Sequence, residues 1–506
     1  MSQVNPVAST PSGARPGLFG PHPMVLLVCG CLFLAVLSLL LPSTPTYDPW
    51  AWIIWGREIA DGQLNTREGP SWKPLPVLFT TLFAPAGDAA PALWLVIARA
   101  GALLGLVMAY RVASRLAGHG ATGVAGGAIA VVALALSTDW LRNGALGNSE
   151  GLLVALSLWA VERHLDGHRG HALGLGLAAG LLRPEVWPFL GLYALYLFVR
   201  EPRRRLVVAT LMLLLPVLWL APELWGSGDL FRASDRALEP NADSPAFADN
   251  PAVEVLGRAA GMLLVPVQIG ALVAVALALF APLDRRRALT VACMAAIAVT
   301  WVGIVALMTE NGYSGNHRYL ILAVALLAVL GGVGYARAAR ELGAWVAARL
   351  GRATAAPTAS LAVLTLLVAG TVPFAFGPIK DLPEEAEAIE LEAGSTRQLE
   401  FAVRDAGGPD RVLACGTAVT GPFEVPALAW QLRIPQEEVD VDPRLPGVVF
   451  STRPELYGTS AGEPARVPFH PIARAGEWRV LAACASGRRQ QRVDTNGSRD
   501  RRRARR

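Results

Sequence analysis

The chain has 506 residues, of which 53% are hydrophobic and 17% charged, with a net charge of +5 and a mean hydropathy of +0.41. This composition is too apolar and too poor in charge for a soluble domain of this size. Apolar stretches close to the roughly 20 residues that cross a bilayer recur through the first three quarters of the chain, which excludes a single cleaved signal peptide as their source. The sequence therefore predicts an all-α polytopic membrane protein.

The elements are predicted in chain order as follows. Residues 1–23, rich in Pro, Gly and Ser, predict a disordered cytoplasmic leader. A transmembrane domain of about eleven helices follows over residues 24–376. Its candidate spans are 24–41, 92–112, 121–137, 151–161, 171–182, 186–199, 206–220, 261–280, 289–308, 320–335 and 360–376. The stretch 171–199 has Pro184 near its middle, which favours a hairpin of two short helices.

Arginines cluster in alternate loops, and the positive-inside rule assigns those loops and the N-terminus to the cytoplasm. The outer loops are then 42–91, 138–150, 221–258 and 309–319, in a protein of the plasma membrane. Residues 377–487 would form a small extracytoplasmic α/β domain, with alternating segments at 411–414, 447–450 and 478–483. The last stretch, 488–506, has nine arginines and predicts a disordered tail that contacts anionic lipid or envelope polymer.

Cys415 and Cys484 both fall in the predicted outer domain. Disulfides persist in oxidising compartments, so an extracytoplasmic location would allow these two cysteines to pair.

The first outer loop is the most informative segment. Asp48 follows the first span directly, and Trp50, Trp52 and Trp55 are typical of an interfacial helix that lies flat on the membrane. The alternative is an aromatic belt in which Asp48 only caps a helix. Lys73 is one of two lysines among 45 basic residues, which favours a specific role over a snorkelling one.

The order of these features resembles the GT-C superfamily of glycosyltransferases. A first span, an outer-loop aspartate, an amphipathic helix and then the motif Trp72-Lys73-Pro74-Leu75-Pro76 are most similar to the protein O-mannosyltransferase and aminoarabinose-transferase type. The likeness runs from about residue 24 to 115, and more loosely to 335. It implies an inverting hexosyl- or pentosyltransferase, such as a mannosyl- or arabinosyltransferase, that uses a polyprenyl-phosphate sugar. The acceptor would be a cell-envelope glycan, lipid or protein.

The resemblance implies that Asp48 is the catalytic base, since the acceptor hydroxyl must lose a proton as it attacks the sugar. Lys73 would be the first cation that stabilises the departing phosphate. The second candidate is Arg183, in an Arg-Pro-Glu turn, for which a plain salt bridge to Glu185 is the alternative. The wider set of candidate substrate-binding residues comprises Lys73, Arg183, Arg318, His317, Glu185, Trp72 and Tyr319.

Arg318 and Tyr319 open a late span in a way that resembles the same transferases, and His317 would contact the acceptor. An ordinary interfacial anchor is the alternative for this segment.

Many related enzymes have two adjacent acidic residues in the first outer loop, whereas Pro49 follows Asp48 here. Glu150, Asp139 and Glu58 are the candidates for a second acid that holds a divalent cation, Mg or Mn, or orients the acceptor. For Glu150 the alternative is a carboxylate favoured in the first turn of a helix. No cofactor is certain, and the sequence leaves metal use open.

Two other functions remain open: a flippase or exporter of lipid-linked saccharides, and a non-catalytic membrane scaffold. An exporter needs charges spread over several spans, whereas the candidates here gather at one surface. The expected partners are the lipid-linked donor, the envelope acceptor and membrane lipids, with no nucleic acid. The sequence also has no internal repeat and no glycine-rich nucleotide-binding motif, which argues against an ATP-driven pump.

Overall fold

A computed structural model describes residues 23–118, 120–280, 284–453 and 469–484. The predicted leader, apart from its last residue, and the predicted basic tail lie outside the described residues. The described part is mainly helical and ends in a small sheet.

The helices are numbered in chain order. They are α1 (Pro23–Ser38), α2 (Tyr47–Ala60), α3 (Pro74–Phe83), α4 (Ala90–Ala117), α5 (Ala121–Ala135), α6 (Trp140–Ala145), α7 (Glu150–Leu165), α8 (Arg169–Gly180), α9 (Trp187–Arg200), α10 (Arg205–Ser227), α11 (Arg232–Ala237), α12 (Pro251–Gly261), α13 (Val265–Phe280), α14 (Arg285–Glu310), α15 (Ile321–Arg349), α16 (Ala356–Asp405), α17 (Pro409–Cys415) and α18 (Val425–Leu432).

Every predicted span coincides with a helix, but the helices differ in length. Among the described residues, five stretches are long and apolar enough to cross a membrane, and a sixth is added if α12 and α13, which meet at 95°, form one span. The five are Pro74–Ala117, Pro202–Ser227, Arg285–Glu310, Ile321–Arg349 and Ala353–Asp405. The count of eleven spans therefore stays a prediction. The break near Pro184 is present, with α8 before it and α9 after it.

The centre of the helical domain is α15, which packs against α4, α5, α13 and α16. Small residues allow these backbones to approach closely, as is common between membrane helices. A Cβ added at Gly334 would overlap the backbone of Gly270, and one added at Gly332 would overlap that of Gly126. Dense packing around α15 makes it the central support of the helical domain.

Helix α2 is enclosed by protein. Trp50, Trp52 and Trp55 are all buried, and Trp50 packs against Trp430 of α18 with ring centroids 5.9 Å apart. The three tryptophans therefore pack inside the protein, with Trp52 against Trp94 and Trp55 against Trp72, while the orientation of α2 along the membrane surface stays a prediction.

The C-terminal part is joined to the membrane domain by a single helix. α16 continues past residue 376 to Asp405 without a break, although it contains three prolines. The five strands are β1 (Thr417–Val419), β2 (Val439–Asp440), β3 (Gly447–Ser451), β4 (His470–Ala475) and β5 (Trp478–Ala483), in the order β2-β1-β3-β5-β4. β1 pairs in parallel with β2 and β3, and the other pairs are antiparallel.

The strands predicted at 447–450 and 478–483 are present as β3 and β5, whereas residues 411–414 lie in α17. A proline at the first helical position and glycines on both sides start and stop this short helix, and they outweigh its alternating pattern. Cys415, at the end of α17, forms a disulfide with Cys484, just after β5. The bond ties the end of α17 to the end of β5.

Candidate functional site

The predicted site residues converge because several helices begin at the same place. Asp48 lies in the first turn of α2, Lys73 directly precedes α3, and Glu150 is the first residue of α7. Arg183 precedes a single 3₁₀ turn before α9, and Arg318 lies in a similar turn before α15. Helix N-termini have unpaired N–H groups and a positive dipole end, so their convergence favours anionic ligands.

Asp48 is held by two cations. Arg318 Nη1 donates a hydrogen bond to Asp48 Oδ2 at 2.8 Å, and the Lys73 ammonium lies 3.9 Å from the same oxygen. Asp48 and Lys73 are both buried, and Arg318 is partly exposed. The pairing joins the first outer loop to a residue 270 positions later in the sequence.

Glu150 lies on the other side of Lys73 from Asp48. Its Oε1 accepts a hydrogen bond from Arg183 Nη2 at 2.6 Å and lies 4.0 Å from Lys73 Nζ. Arg183 Nη1 also contacts Glu185 at 3.4 Å, as the plain salt-bridge alternative expected. Lys73 thus lies between two carboxylates, and Arg183 lies between two as well.

We call these six residues the charged cluster: Asp48, Lys73, Glu150, Arg183, Glu185 and Arg318. Two aromatic rings complete it. The Lys73 ammonium lies 4.8 Å from the Trp52 ring centroid, and the guanidinium of Arg183 lies 4.3 Å from that of Tyr319. Aromatic faces attract cations and hold them in place at little cost in entropy.

Burial lowers the pKa of Lys73 to about 8, although the neighbouring carboxylates of Glu150 and Asp48 act in the opposite direction. The ammonium is therefore charged at neutral pH and loses its proton at moderately alkaline pH.

A cavity of about 940 Å³ opens beside the charged cluster. Five of the six cluster residues line it, namely Asp48, Lys73, Arg183, Glu185 and Arg318, while Lys73 and Arg183 hold Glu150 behind the wall. Another part of the wall is apolar and comes from α9, α10 and α14, with Trp187, Trp219 and Met308 among its residues. The cavity thus combines a charged floor with an apolar flank.

The C-terminal domain contributes the outer side of this cavity, through Phe423, Glu437, Asp440 and Arg444. The domain also holds the first outer loop, because Asn65 donates to Glu437 at 2.6 Å. Sequence reasoning did not place these residues at the site, since they lie more than 370 positions from Asp48 in a segment without a motif.

Three predicted residues lie away from the charged cluster. Glu58 is ten residues beyond Asp48 on the same helix, a separation of roughly 15 Å along the axis, and it accepts a hydrogen bond from the Asn65 backbone. Asp139 and His317 pair with each other at 3.4 Å and do not line the cavity. The structure thus brings Glu150, and neither Asp139 nor Glu58, close to the cations around Asp48.

The predicted Trp72 lines the cavity as well, and its indole N–H donates to the Leu218 carbonyl at 3.2 Å. Within the described ranges, no group of three or more His, Cys, Asp or Glu residues is placed to hold a metal ion. Asp48 Oδ2 faces two cations instead, with Lys73 Nζ at 3.9 Å and Arg318 Nη1 at 2.8 Å.

Glu223 of α10 and Arg232 of α11 are two buried charges near Lys73 that were missed from the sequence. Glu223 follows the predicted span 206–220 so closely that it was placed in the outer loop, whereas α10 continues to Ser227. An acidic residue at the end of an apolar run is the signal that could have indicated it.

Comparison with solved structures identifies the fold. The crystal structure of ArnT from Cupriavidus metallidurans bound to undecaprenyl phosphate matches with a TM-score of 0.56 and 17% identity, over 92% of this chain and 98% of that one. The chain shares the fold of ArnT. The apo crystal structure of ArnT matches with a TM-score of 0.55 and 16% identity, over 91% and 97% of the two chains. No protein-family model matches the chain, and no curated protein matches it significantly.

The likeness to ArnT confirms, at the level of the fold, the resemblance drawn from the first outer loop. It extends far beyond the residues that carried that resemblance, since it covers 92% of the chain.

Proposed function

We propose that this protein is an integral membrane glycosyltransferase that takes its sugar from a polyprenyl-phosphate carrier. The observation that carries the proposal is a buried carboxylate, Asp48, held beside the cations Lys73 and Arg318 in one cavity. ArnT, whose fold the chain shares, has been crystallised with undecaprenyl phosphate.

The cavity suits a lipid-linked donor. Its apolar flank offers Trp187, Trp219 and Met308 to a prenyl chain, and its floor offers Lys73, Arg183 and Arg318 to a phosphate. Specific pockets commonly combine an apolar wall with a few convergent polar groups. A free sugar nucleotide has no lipid chain that could contact the apolar flank.

Asp48 is proposed as the base of a single displacement. An acceptor hydroxyl gives its proton to the Asp48 carboxylate while its oxygen attacks the anomeric carbon of the sugar. The bond between that carbon and the phosphate oxygen breaks, and the oxygen keeps the electron pair. The products are the glycosylated acceptor, with inverted configuration, and polyprenyl phosphate.

The cations act mainly on the leaving group. The donor phosphodiester carries one negative charge and departs as a phosphomonoester with up to two, so fixed cations stabilise the transition state more than the ground state. Arg318 contacts Asp48 directly, which places the proposed base and the proposed phosphate ligand within one hydrogen bond of each other. Base and leaving group can therefore act on the same anomeric carbon.

The test uses purified protein with labelled polyprenyl-phosphate sugars, hexoses and pentoses in turn, and an extract of cell-envelope acceptors. We expect release of polyprenyl phosphate by the wild type and near-complete loss in Asp48→Asn, which keeps the side-chain volume and should still bind polyprenyl phosphate. The matched control is Asp249→Asn, at an exposed position in the third outer loop. Carrier binding without release, together with movement of the carrier across vesicle membranes, would establish an exporter instead.

The cavity is proposed to face the extracytoplasmic side, in line with the loop charges and with the disulfide in the domain that covers it. A reporter fused to the C-terminus should then be active only outside the cytoplasm. A cytoplasmic signal would reverse the orientation of the whole chain.

A further inference from the structure

The segment that carries Lys73 is fixed by a residue of another loop. Arg232 of α11 donates hydrogen bonds to three backbone carbonyls that precede Lys73: that of Pro70 at 2.7 Å, that of Gly69 at 2.9 Å and that of Arg67 at 3.4 Å. Guanidinium groups suit this task because their N–H donors form a rigid planar fork. One side chain therefore holds the backbone just ahead of Lys73.

Glu223 supports Arg232 from the end of α10. Its side chain is fully buried, accepts a hydrogen bond from Thr66 Oγ1 at 2.9 Å and forms an ion pair with Arg232 at 3.9 Å. A buried carboxylate in an apolar helix is costly, and such residues usually have a function. The pair links α10 and α11 to residues 66–70, just ahead of Lys73.

The remaining contacts carry the restraint forward to Lys73. Ser71 Oγ donates to the Ala233 carbonyl at 2.8 Å, and the Trp72 indole packs against Trp55 with ring centroids 5.5 Å apart. Residues 69 to 72 are thus each held, and the next residue is Lys73 itself. Its ammonium reaches the charged cluster from a backbone that has little freedom to shift.

We infer that Arg232, oriented by Glu223, is a positioning residue that sets the Lys73 ammonium for phosphate recognition. The inference rests on the proposed function, since it assigns Lys73 to the donor phosphate. It differs from a general role in stability, because the effect of Arg232 on phosphate binding must then pass through Lys73. A displacement of even 1 Å at a charged contact is enough to weaken such recognition.

A double-mutant cycle tests this route. Binding of polyprenyl phosphate is measured for the wild type, Arg232→Ala, Lys73→Ala and the double variant, with polyprenol, which lacks the phosphate, as the comparison ligand. We expect Arg232→Ala to weaken polyprenyl phosphate binding about tenfold in the wild-type background and less than twofold in the Lys73→Ala background. Polyprenol binding should not change. The control is Arg258→Ala, which removes a more exposed arginine paired with Glu254.

Arg232→Ala leaves the Glu223 carboxylate buried without its cation and could prevent folding. The paired variant Glu223→Gln/Arg232→Gln removes both charges together, so it should melt close to the wild type and still lose phosphate affinity about tenfold.

Three results would overturn the inference. An equal loss in both backgrounds, or an equal loss for polyprenol, would mean that Arg232 acts on the fold as a whole. Unchanged phosphate binding in the paired variant would mean that it does not position Lys73. If Lys73→Ala itself binds polyprenyl phosphate as the wild type does, the proposed phosphate site fails together with the inference, which separates this case from the other two.

Discussion

Replacing Glu150 with glutamine tests the charge balance of the cluster. Glutamine keeps the shape of the side chain and an oxygen that can accept from Arg183, but it removes the negative charge from a residue that is 1% exposed. Two unit charges 4 Å apart attract by about 4 kcal/mol at an effective dielectric constant of 20, and Lys73 lies 4.0 Å from Glu150. Asp48 and Glu185 still neutralise part of the remaining charge, so we expect a net destabilisation of about 3 kcal/mol.

The same variant should bind the phosphate more tightly. The cluster as defined has three cations and three carboxylates, so Glu150→Gln leaves an excess positive charge that an anionic ligand can neutralise. Thermal unfolding in detergent, with and without polyprenyl phosphate, measures both effects. The variant should melt below the wild type without ligand and gain more from saturating ligand.

The control for this experiment is Glu254→Gln, which breaks the more exposed pair with Arg258 and should cost less than about 1 kcal/mol. A Glu150→Gln protein that melts with the wild type and gains nothing extra from the ligand would refute the account of the charged cluster.

Three further outcomes are expected. Because burial lowers the pKa of Lys73 to about 8, binding of polyprenyl phosphate should weaken as the pH rises above 8. In a titration of binding against pH, Lys73→Arg should abolish that dependence. A parallel decline of binding in the wild type and in Lys73→Arg would contradict this prediction. Burial also raises the pKa of Glu58 from 4.5 to about 7, so its stabilising contribution is complete below pH 4.5 and is lost as the pH rises through 7. The free energy of unfolding of Glu58→Gln should therefore exceed that of the wild type at pH 8, by up to about 3 kcal/mol, but not at pH 4.5. A difference that stays constant with pH would count against this pKa. Replacing Cys415 and Cys484 with serine opens a loop that spans 69 residues and should lower the stability of the C-terminal domain by about 4 kcal/mol. Urea unfolding followed by proteolysis measures this loss. Equal resistance of the wild type and the variant to urea would mean that the disulfide does not stabilise the domain.

Local patterns predicted the helices well. Apolar runs located the helices, and the break at Pro184 follows from the proline itself and the polar residues beside it. The number of spans did not follow, because helices such as α1 and α5 are apolar but only 16 and 15 residues long, and length alone does not decide whether each crosses the bilayer.

The candidate site was partly predictable. Asp48 and Lys73 belong to one loop, so their sequence neighbourhood indicated them together. Their pairing with Arg318 is a long-range contact, which only the packing around α15 creates. Arg232 gave no local signal, since an arginine in a polar outer loop looks like a solvated residue until its three carbonyl partners are seen.

The unbroken helix α16 fixes how the C-terminal domain faces the cavity. Its 50 residues extend roughly 75 Å, and each residue turns the helix by about 100°. A single residue inserted near position 380 would therefore swing Phe423 and Asp440 away from the cavity that they line. Seven inserted residues, close to two full turns, would restore the direction but raise the domain by about 10 Å. The helix thus sets both the rotational phase of the C-terminal domain and its distance from the helical domain.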